Sequence, residues 1–209
     1  IDDYGRIETE ILEPMERAAF EGALGMELRE KNLLVTFHPE TLNDQPSAMP
    51  FTELLGALDA LGPNVGLIFT KPNADTHGRV LVGMIDAFVQ NHPNAVAQVS
   101  MGHRLYYTAM QHADAVVGNS SSGLLEAPSF KIPTVNIGDR QRGRERASSV
   151  IDVPARAGEI GEAIQKALAM DCSQVVNPYG DGKSAGRIVK VLKDIVEPQS
   201  LVRKRFKDL

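Results

Sequence analysis

Three features of the sequence predict an α/β protein, a Rossmann-like three-layer α/β/α domain built on a parallel sheet. Short apolar runs recur along the chain, most of them are rich in β-branched residues, and stretches with helical periodicity lie between them. Strands buried on both faces read as continuous apolar runs rather than as alternating ones. Strand and helix in alternation call for right-handed crossovers, with helices on both sides of the sheet.

The runs lie at residues 33–37, 65–69, 95–99, 115–118 and 134–137, with a weaker one at 150–153. Helical spacing fills 51–61, 77–91, 105–112, 123–130, 159–170 and 182–196. Ahead of the first strand, Ile7, Ile11, Met15, Ala19 and Ala23 recur at helical intervals, interrupted by Pro14 and weakened by Gly22 and Gly25. Residues 1–32 are therefore read as a helical flank, and 33–209 as one domain closed by a C-terminal helix. No internal repeat, low-complexity tract or Ser/Gly-rich linker divides it. The basic tail at 203–207 reads as a solvated terminus. Because the helical pattern begins almost at Ile1, the chain reads as a piece of something longer.

Composition narrows the function. With 209 residues, 43% of them hydrophobic, the chain can bury a substantial core. A net charge of -5 with both signs interspersed offers no basic face for a run of nucleic-acid phosphates. Cys172 is the only cysteine, which rules out an internal disulfide and a multi-cysteine metal site and fits a reducing compartment; it reads as inert packing. No stretch approaches the roughly 20 apolar residues that span a bilayer, and Ile1, Asp2, Asp3 and Tyr4 do not open a signal peptide. A cytoplasmic protein without nucleic-acid or membrane partners is expected. The histidines lack metal-ligand spacing, no nucleophile elbow is present, and Gly180-Asp181-Gly182-Lys183-Ser184 falls short of a phosphate loop, so it reads as a turn. Neither metal nor cofactor is expected.

In a sheet of this kind ligands bind outside the carboxyl ends of the strands, where strand order reverses. The run 115–118 passes directly into Asn119-Ser120-Ser121-Ser122-Gly123, with Glu126 one turn further on. Gly118 and Gly123 permit close backbone approach, and serine hydroxyls with first-turn amides suit phosphate oxygens, aided by the helix dipole. Glu126 can accept hydrogen bonds from two ribose hydroxyls. The same Ser-to-Glu spacing also fits a plain capping box. After the next strand, Arg140, Arg142, Arg144 and Arg146 fall within seven residues, either a pyrophosphate clamp or a solvated charged loop. His38 ends the first strand before Pro39, placed to meet a phosphate or move a proton, or else a polar loop residue. Asn73 follows the second strand as an amide donor or a turn residue. Backbone groups near Met101 can read the edge of a base, while Tyr106 and Tyr107 read as helix packing.

Taken together, Val35-Thr36-Phe37-His38-Pro39-Glu40-Thr41-Leu42, Gly118-Asn119-Ser120-Ser121-Ser122-Gly123 with Glu126, Gly138-Asp139-Arg140-Gln141-Arg142-Gly143-Arg144 and the turn Tyr179-Gly180-Asp181-Gly182 resemble the hydrolysing UDP-N-acetylglucosamine 2-epimerases. The resemblance runs from about residue 33 to 196 in the right order. It implies that this chain is the C-terminal half of a GT-B-like fold, with a separate N-terminal catalytic domain outside it and a homodimer as the assembly. It implies roles too: Ser120 and Ser121 at the pyrophosphate within a cradle that includes Ser122 and Gly123, Glu126 at the ribose, the Met101 backbone at uracil, Arg140 on the phosphate side, and His38 and Asn73 near the diphosphate. The implied reaction eliminates UDP across C1 and C2 to a 2-acetamidoglucal, then adds water with inversion at C2. The product is N-acetylmannosamine or a 4-acetamido-6-deoxy analogue, for sialic or legionaminic acid synthesis. His38-Pro39-Glu40-Thr41 resembles the hydrolysing branch, whereas the non-hydrolysing branch carries His-Arg-x-Glu-Asn there. Since the main catalytic carboxylates belong to the absent domain, the 209 residues alone are expected to bind UDP without turnover. Two other readings share these motifs: the C-terminal domain of a GT-B glycosyltransferase, and a non-catalytic nucleotide-sugar-binding module.

Overall fold

The first strand shows why the apolar runs form a doubly covered sheet. In the computed structural model, which describes residues 14–39, 48–72, 76–197 and 199, β1 (Lys31–Thr36) exposes only its first residue. Leu33 and Val35 enter one core and Leu34 the opposite one, the alternation that a strand imposes on successive side chains. β2 (Val65–Thr70) repeats the pattern, sending Leu67 and Phe69 to the first core and Ile68 to the second. β3 (Ala95–Gln98), β4 (Ala115–Gly118), β5 (Thr134–Ile137) and β6 (Val150–Val153) complete one sheet of order β3-β2-β1-β4-β5-β6. Every pairing is parallel.

Helices close both faces. α1 (Arg17–Leu24) and α4 (Gly102–His112) put Phe20, Leu24, Tyr107 and Met110 against Leu34, Ile68 and Val116. On the other face, α2 (Ala48–Asp59), α3 (Thr76–Asn91) and α6 (Ala157–Leu168) contribute Phe51, Leu54, Leu81, Ile85, Ile160 and Ile164. Each large side chain fully buried this way stabilises the fold by about 1.5–3 kcal/mol. α5 (Ser122–Leu125) is a single turn, followed by a 3-10 turn at Ala127–Phe130, and α7 (Ser184–Lys193) buries none of its residues.

The observed elements depart from the expected ones in informative ways. The helix expected over 123–130 splits after Leu125, because Pro128 sits early in the second turn and cannot donate to a continuing α-helix. The third strand stops at Gln98, leaving Val99 exposed. α4 begins at Gly102 rather than 105. Of the N-terminal flank, Arg17–Leu24 is helical and packs into the same core as β1; residues 1–13 and the basic tail lie outside the described residues. Cys172 is buried against Ala147 and Val175, and burial raises its thiol pKa, which suits inert packing.

Candidate functional site

The strand order turns between β1 and β4, so the crevice opens where both strands end. Their register runs to Thr36 opposite Gly118. Gly118 has φ 138, and a Cβ there would stand 1.9 Å from the Thr36 carbonyl oxygen, so only glycine lets the chain leave β4 so close to β1. Asn119 follows, fully buried, and its own N–H donates to Thr36 O at 3.1 Å. Its side chain accepts from the His38 N–H at 2.7 Å and donates to the His38 carbonyl at 2.9 Å. Its carbonyl accepts from Arg140 Nη1 at 3.1 Å and from Gln141 Nε2 at 2.7 Å. The exits of β1, β4 and β5 are thereby joined, with His38 and Arg140 near one another. Burial, and then the Arg140 charge, push the His38 pKa below the ordinary histidine value, leaving a neutral imidazole at pH 7.

Beside this junction lies a cleft of about 420 Å³ whose walls include Met101, His103, Ser120, Ser122 and Glu126. Hydroxyls line its floor. Thr70 Oγ1 and Thr36 Oγ1 are 2.7 Å apart, the Tyr106 phenol stands 2.5 Å from Ser122 Oγ, and Ser122 Oγ lies 3.3 Å from Ser120 Oγ. Thr36 also hydrogen-bonds Tyr106, which links the two ends of the chain. Burial pushes the Tyr106 pKa up to about 12; the Ser122 hydrogen bond opposes that shift and the nearby Glu126 charge adds to it. The Glu126 carboxylate belongs to a residue only 8% exposed, on the wall of an open cleft. A buried carboxylate facing a hydroxyl-lined cleft is suited to accepting hydrogen bonds from a polyhydroxylated ligand.

The expected residues are thus gathered in part. Met101, Ser120, Ser122 and Glu126 share the cleft, while His38 and Arg140 meet at the adjoining junction. Ser121 is half-buried, and its carbonyl accepts the N–H groups of Leu124 and Leu125. Gly123 has a packing reason: a Cβ there would come within 2.6 Å of Thr134 Cγ2, and its carbonyl accepts from Thr134 Oγ1 at 2.7 Å. Because α5 spans only four residues, the expected helix dipole shrinks to one turn, and the hydroxyls of Ser120 and Ser122 are the donors presented to the cleft. Asn73 lies outside the described residues. Of the four arginines, Arg140 bonds the junction, Arg146 lies 2.7 Å from Asp152, and Arg142 and Arg144 are exposed.

Sequence reasoning missed Tyr106, Asn119, Gln141 and the two threonines. Tyr106 carried no signal beyond its helical spacing, whereas Asn119 and Gln141 stood inside the quoted motifs. Larger cavities lie elsewhere among the described residues, one of about 520 Å³ between Phe37, Arg146 and Asp152 and another of about 490 Å³ near Lys131 and Tyr179. Of these three the smaller cleft is the better candidate, because it combines the switch point with a buried carboxylate and a hydroxyl floor. Among the described residues, no group of three or more His, Cys, Asp or Glu side chains can hold a metal, and no helix is long and apolar enough to cross a membrane.

Fold and cleft together define a Rossmann-like α/β/α domain with its candidate site at the topological switch point. A sequence profile described as UDP-N-acetylglucosamine 2-epimerase matches residues 4–193, and the chain belongs to that family. It is 35% identical over 194 residues to the Campylobacter jejuni GDP/UDP-N,N'-diacetylbacillosamine 2-epimerase (hydrolyzing), covering 90% of this chain and 50% of that protein. It is 33% identical over 186 residues to the Escherichia coli polysialic acid biosynthesis protein P7, covering 87% and 47%. Against the Legionella pneumophila UDP-N,N'-diacetylbacillosamine 2-epimerase (hydrolyzing), identity is 32% over 179 residues, covering 86% and 47%. The chain thus spans about half the length of these curated relatives. Among solved structures, the Methanocaldococcus jannaschii UDP-GlcNAc 2-epimerase in complex with UDP-GlcNAc and UDP superposes with a TM-score of 0.70 at 19% identity, over 92% of this chain and 52% of that one. These GT-B-like neighbours share the fold.

Proposed function

We propose that this chain is the UDP-holding C-terminal half of a hydrolysing 2-epimerase acting on UDP-N-acetylglucosamine or a 4-acetamido-6-deoxy analogue. The observation that carries the reading is the convergence of Met101, Ser120, Ser122 and the buried Glu126 on one cleft, with neutral His38 and Arg140 alongside. Glu126 takes the ribose hydroxyls, backbone groups at Met101 the uracil edge, and Ser120 and Ser121 the diphosphate, with Arg140 and Asn73 on its flank. In the reaction a base removes the C2 proton, the C1–O bond breaks, and UDP departs with the electron pair. Water then adds its oxygen to C1 while a proton returns to the opposite face of C2. Arg140 and the hydroxyls stabilise charge on the departing diphosphate, and His38 is poised to donate to it or to move a proton. The carboxylates that handle the C2 proton belong to an N-terminal domain outside this chain, and the whole enzyme is a homodimer. Hydrolysing chemistry is supported by the Campylobacter and Legionella relatives, both named as hydrolyzing. A role in making sialic-type sugars draws on the E. coli relative's polysialic acid name.

Calorimetric titration with UDP, UDP-N-acetylglucosamine and GDP tests the binding half of this reading. UDP is expected to bind, and Glu126→Ala to weaken it by about 1–3 kcal/mol through loss of the ribose contact. Preference for GDP would overturn the uracil assignment, and an unaltered affinity in the variant would overturn the ribose one. Formation of N-acetylmannosamine by the 209 residues alone would refute the division of labour between two domains. For the complete enzyme, release of free sugar without an acceptor separates an epimerase from a glycosyltransferase.

A further inference from the structure

We propose that Asn119 is a positioning residue that sets His38 and Arg140 against the same diphosphate, an inference that rests on the UDP reading above. The β1–β4 ladder ends at Thr36 opposite Gly118, so His38 lies beyond regular pairing. Asn119 continues the ladder with its side chain. A carboxamide carries the same donor and acceptor as a peptide unit, and here both are used on the backbone of His38, at 2.9 Å and 2.7 Å. The Asn119 N–H is tied to Thr36 and its carbonyl to Arg140 and Gln141. One fully buried residue therefore fixes the first strand exit to the fifth, and with it the imidazole to the guanidinium. An apolar side chain of similar size would fill the volume but leave the His38 peptide groups without these partners and free the strand exit. A dianionic ligand needs the exit held. Its charge is best met by a cation and a neutral donor held at fixed separation before binding, so that no ordering cost falls on the complex.

The test compares UDP with uridine, which lacks the diphosphate, on the wild-type chain and on Asn119→Ala, Asn119→Asp and Asn94→Ala. Asn94 serves as the destabilised control: it is buried at the opposite end of the strands, where its side chain donates to Val65 O at 2.7 Å. Asn119→Ala is expected to weaken UDP about ten- to a hundredfold while uridine changes by less than about twofold. Asn94→Ala is expected to lose thermal stability and keep both affinities. In parallel, NMR titration of the His38 imidazole should show its midpoint rising toward the ordinary histidine value in Asn119→Ala, as the ring escapes burial and Arg140. Asn119→Asp preserves volume and the acceptor for the His38 N–H but cannot donate to its carbonyl, and it sets a negative charge beside the diphosphate site. UDP should again weaken, with uridine spared and the His38 midpoint raised. Should Asn119→Ala fail to fold, Asn119→Ser, small and uncharged, carries the same comparison. Equal losses of UDP and uridine, or an unmoved UDP affinity, would overturn the proposal. If the wild type binds no UDP, the functional reading fails on its own, and the His38 midpoints then decide the positioning claim: unmoved midpoints overturn it.

Discussion

Replacing Tyr106 with phenylalanine isolates the hydroxyl floor of the cleft, because the ring stays and one oxygen goes. The ring packs beside Tyr107, centroids 6.2 Å apart, and that contact survives the substitution. What is lost is the 2.5 Å hydrogen bond to Ser122 Oγ and the bond to Thr36. Neither partner is stranded: Ser122 Oγ keeps Ser120 Oγ at 3.3 Å, and Thr36 Oγ1 keeps Thr70 Oγ1 at 2.7 Å. The cost should therefore sit near the net worth of two hydrogen bonds, about 1–3 kcal/mol, with no further penalty for a stranded buried group. For a chain of this size each kcal/mol lowers the melting temperature by about 2–4 °C. The freed Ser122 hydroxyl is no longer held toward the cleft, so UDP affinity should fall by about two- to fivefold. Differential scanning calorimetry and titration with UDP measure the two effects. Ultraviolet titration adds a signature, since the phenol pushed up to about 12 should vanish from the alkaline limb in the variant. A stability loss above about 3 kcal/mol would show that the ring packing, not the hydroxyl, had been disturbed. Unchanged stability together with unchanged UDP affinity would refute the organised hydroxyl chain.

Gly118→Ala should cost about 3 kcal/mol or more in denaturant unfolding, since its Cβ would collide with Thr36 O at 1.9 Å on a backbone at φ 138; a loss under about 1 kcal/mol would contradict the close approach. His38 should couple UDP-sugar binding to proton uptake. Its pKa lies below the ordinary value in the free chain and an arriving diphosphate raises it, so UDP-N-acetylglucosamine should bind more tightly as pH falls from about 7.5 toward 6, and less steeply in His38→Gln. The opposite slope would refute the contact. For folding, the sign is reversed: the unfolded chain takes the proton first, so the His38 contribution is present above about pH 6.5 and lost as pH falls below it. His92 behaves the other way. Its 2.8 Å hydrogen bond to Asp59 raises its pKa, so the stability it contributes is full below about pH 6.5 and fades as pH rises through the folded-state value. Melting of wild type and His92→Gln at about pH 6 and 8.5 should show the larger gap at the lower value.

Much of the sheet was legible because doubly buried parallel strands leave a plain trace: apolar runs such as Leu33-Leu34-Val35 need no knowledge of their neighbours. Boundaries were less so. The break in the helix at 123–130 was written in Pro128, but the periodicity of Leu124 and Leu125 with Ala127 outweighed it. In the candidate cleft, Ser120, Ser122 and Glu126 were legible because β4 runs straight into small residues and then a carboxylate. Asn119 was not, since its role depends on the register that sets Gly118 beside Thr36, a relation between segments far apart in sequence. Tyr106 was hidden for a similar reason: helical spacing says that it packs, and only the placement of α4 beside the Ser122 turn shows that its hydroxyl meets the cleft. Gly123, read for ligand approach, has a packing reason as well, since Thr134 lies where its Cβ would stand.

A crystal structure of the chain soaked with UDP would show whether the switch-point cleft holds the nucleotide. Density is expected in the cleft of about 420 Å³, with ribose hydroxyls on Glu126, uracil at the Met101 backbone, and the diphosphate at Ser120 between His38 and Arg140. UDP lodged instead in the cavity between Phe37, Arg146 and Asp152, with the cleft vacant, would contradict this placement.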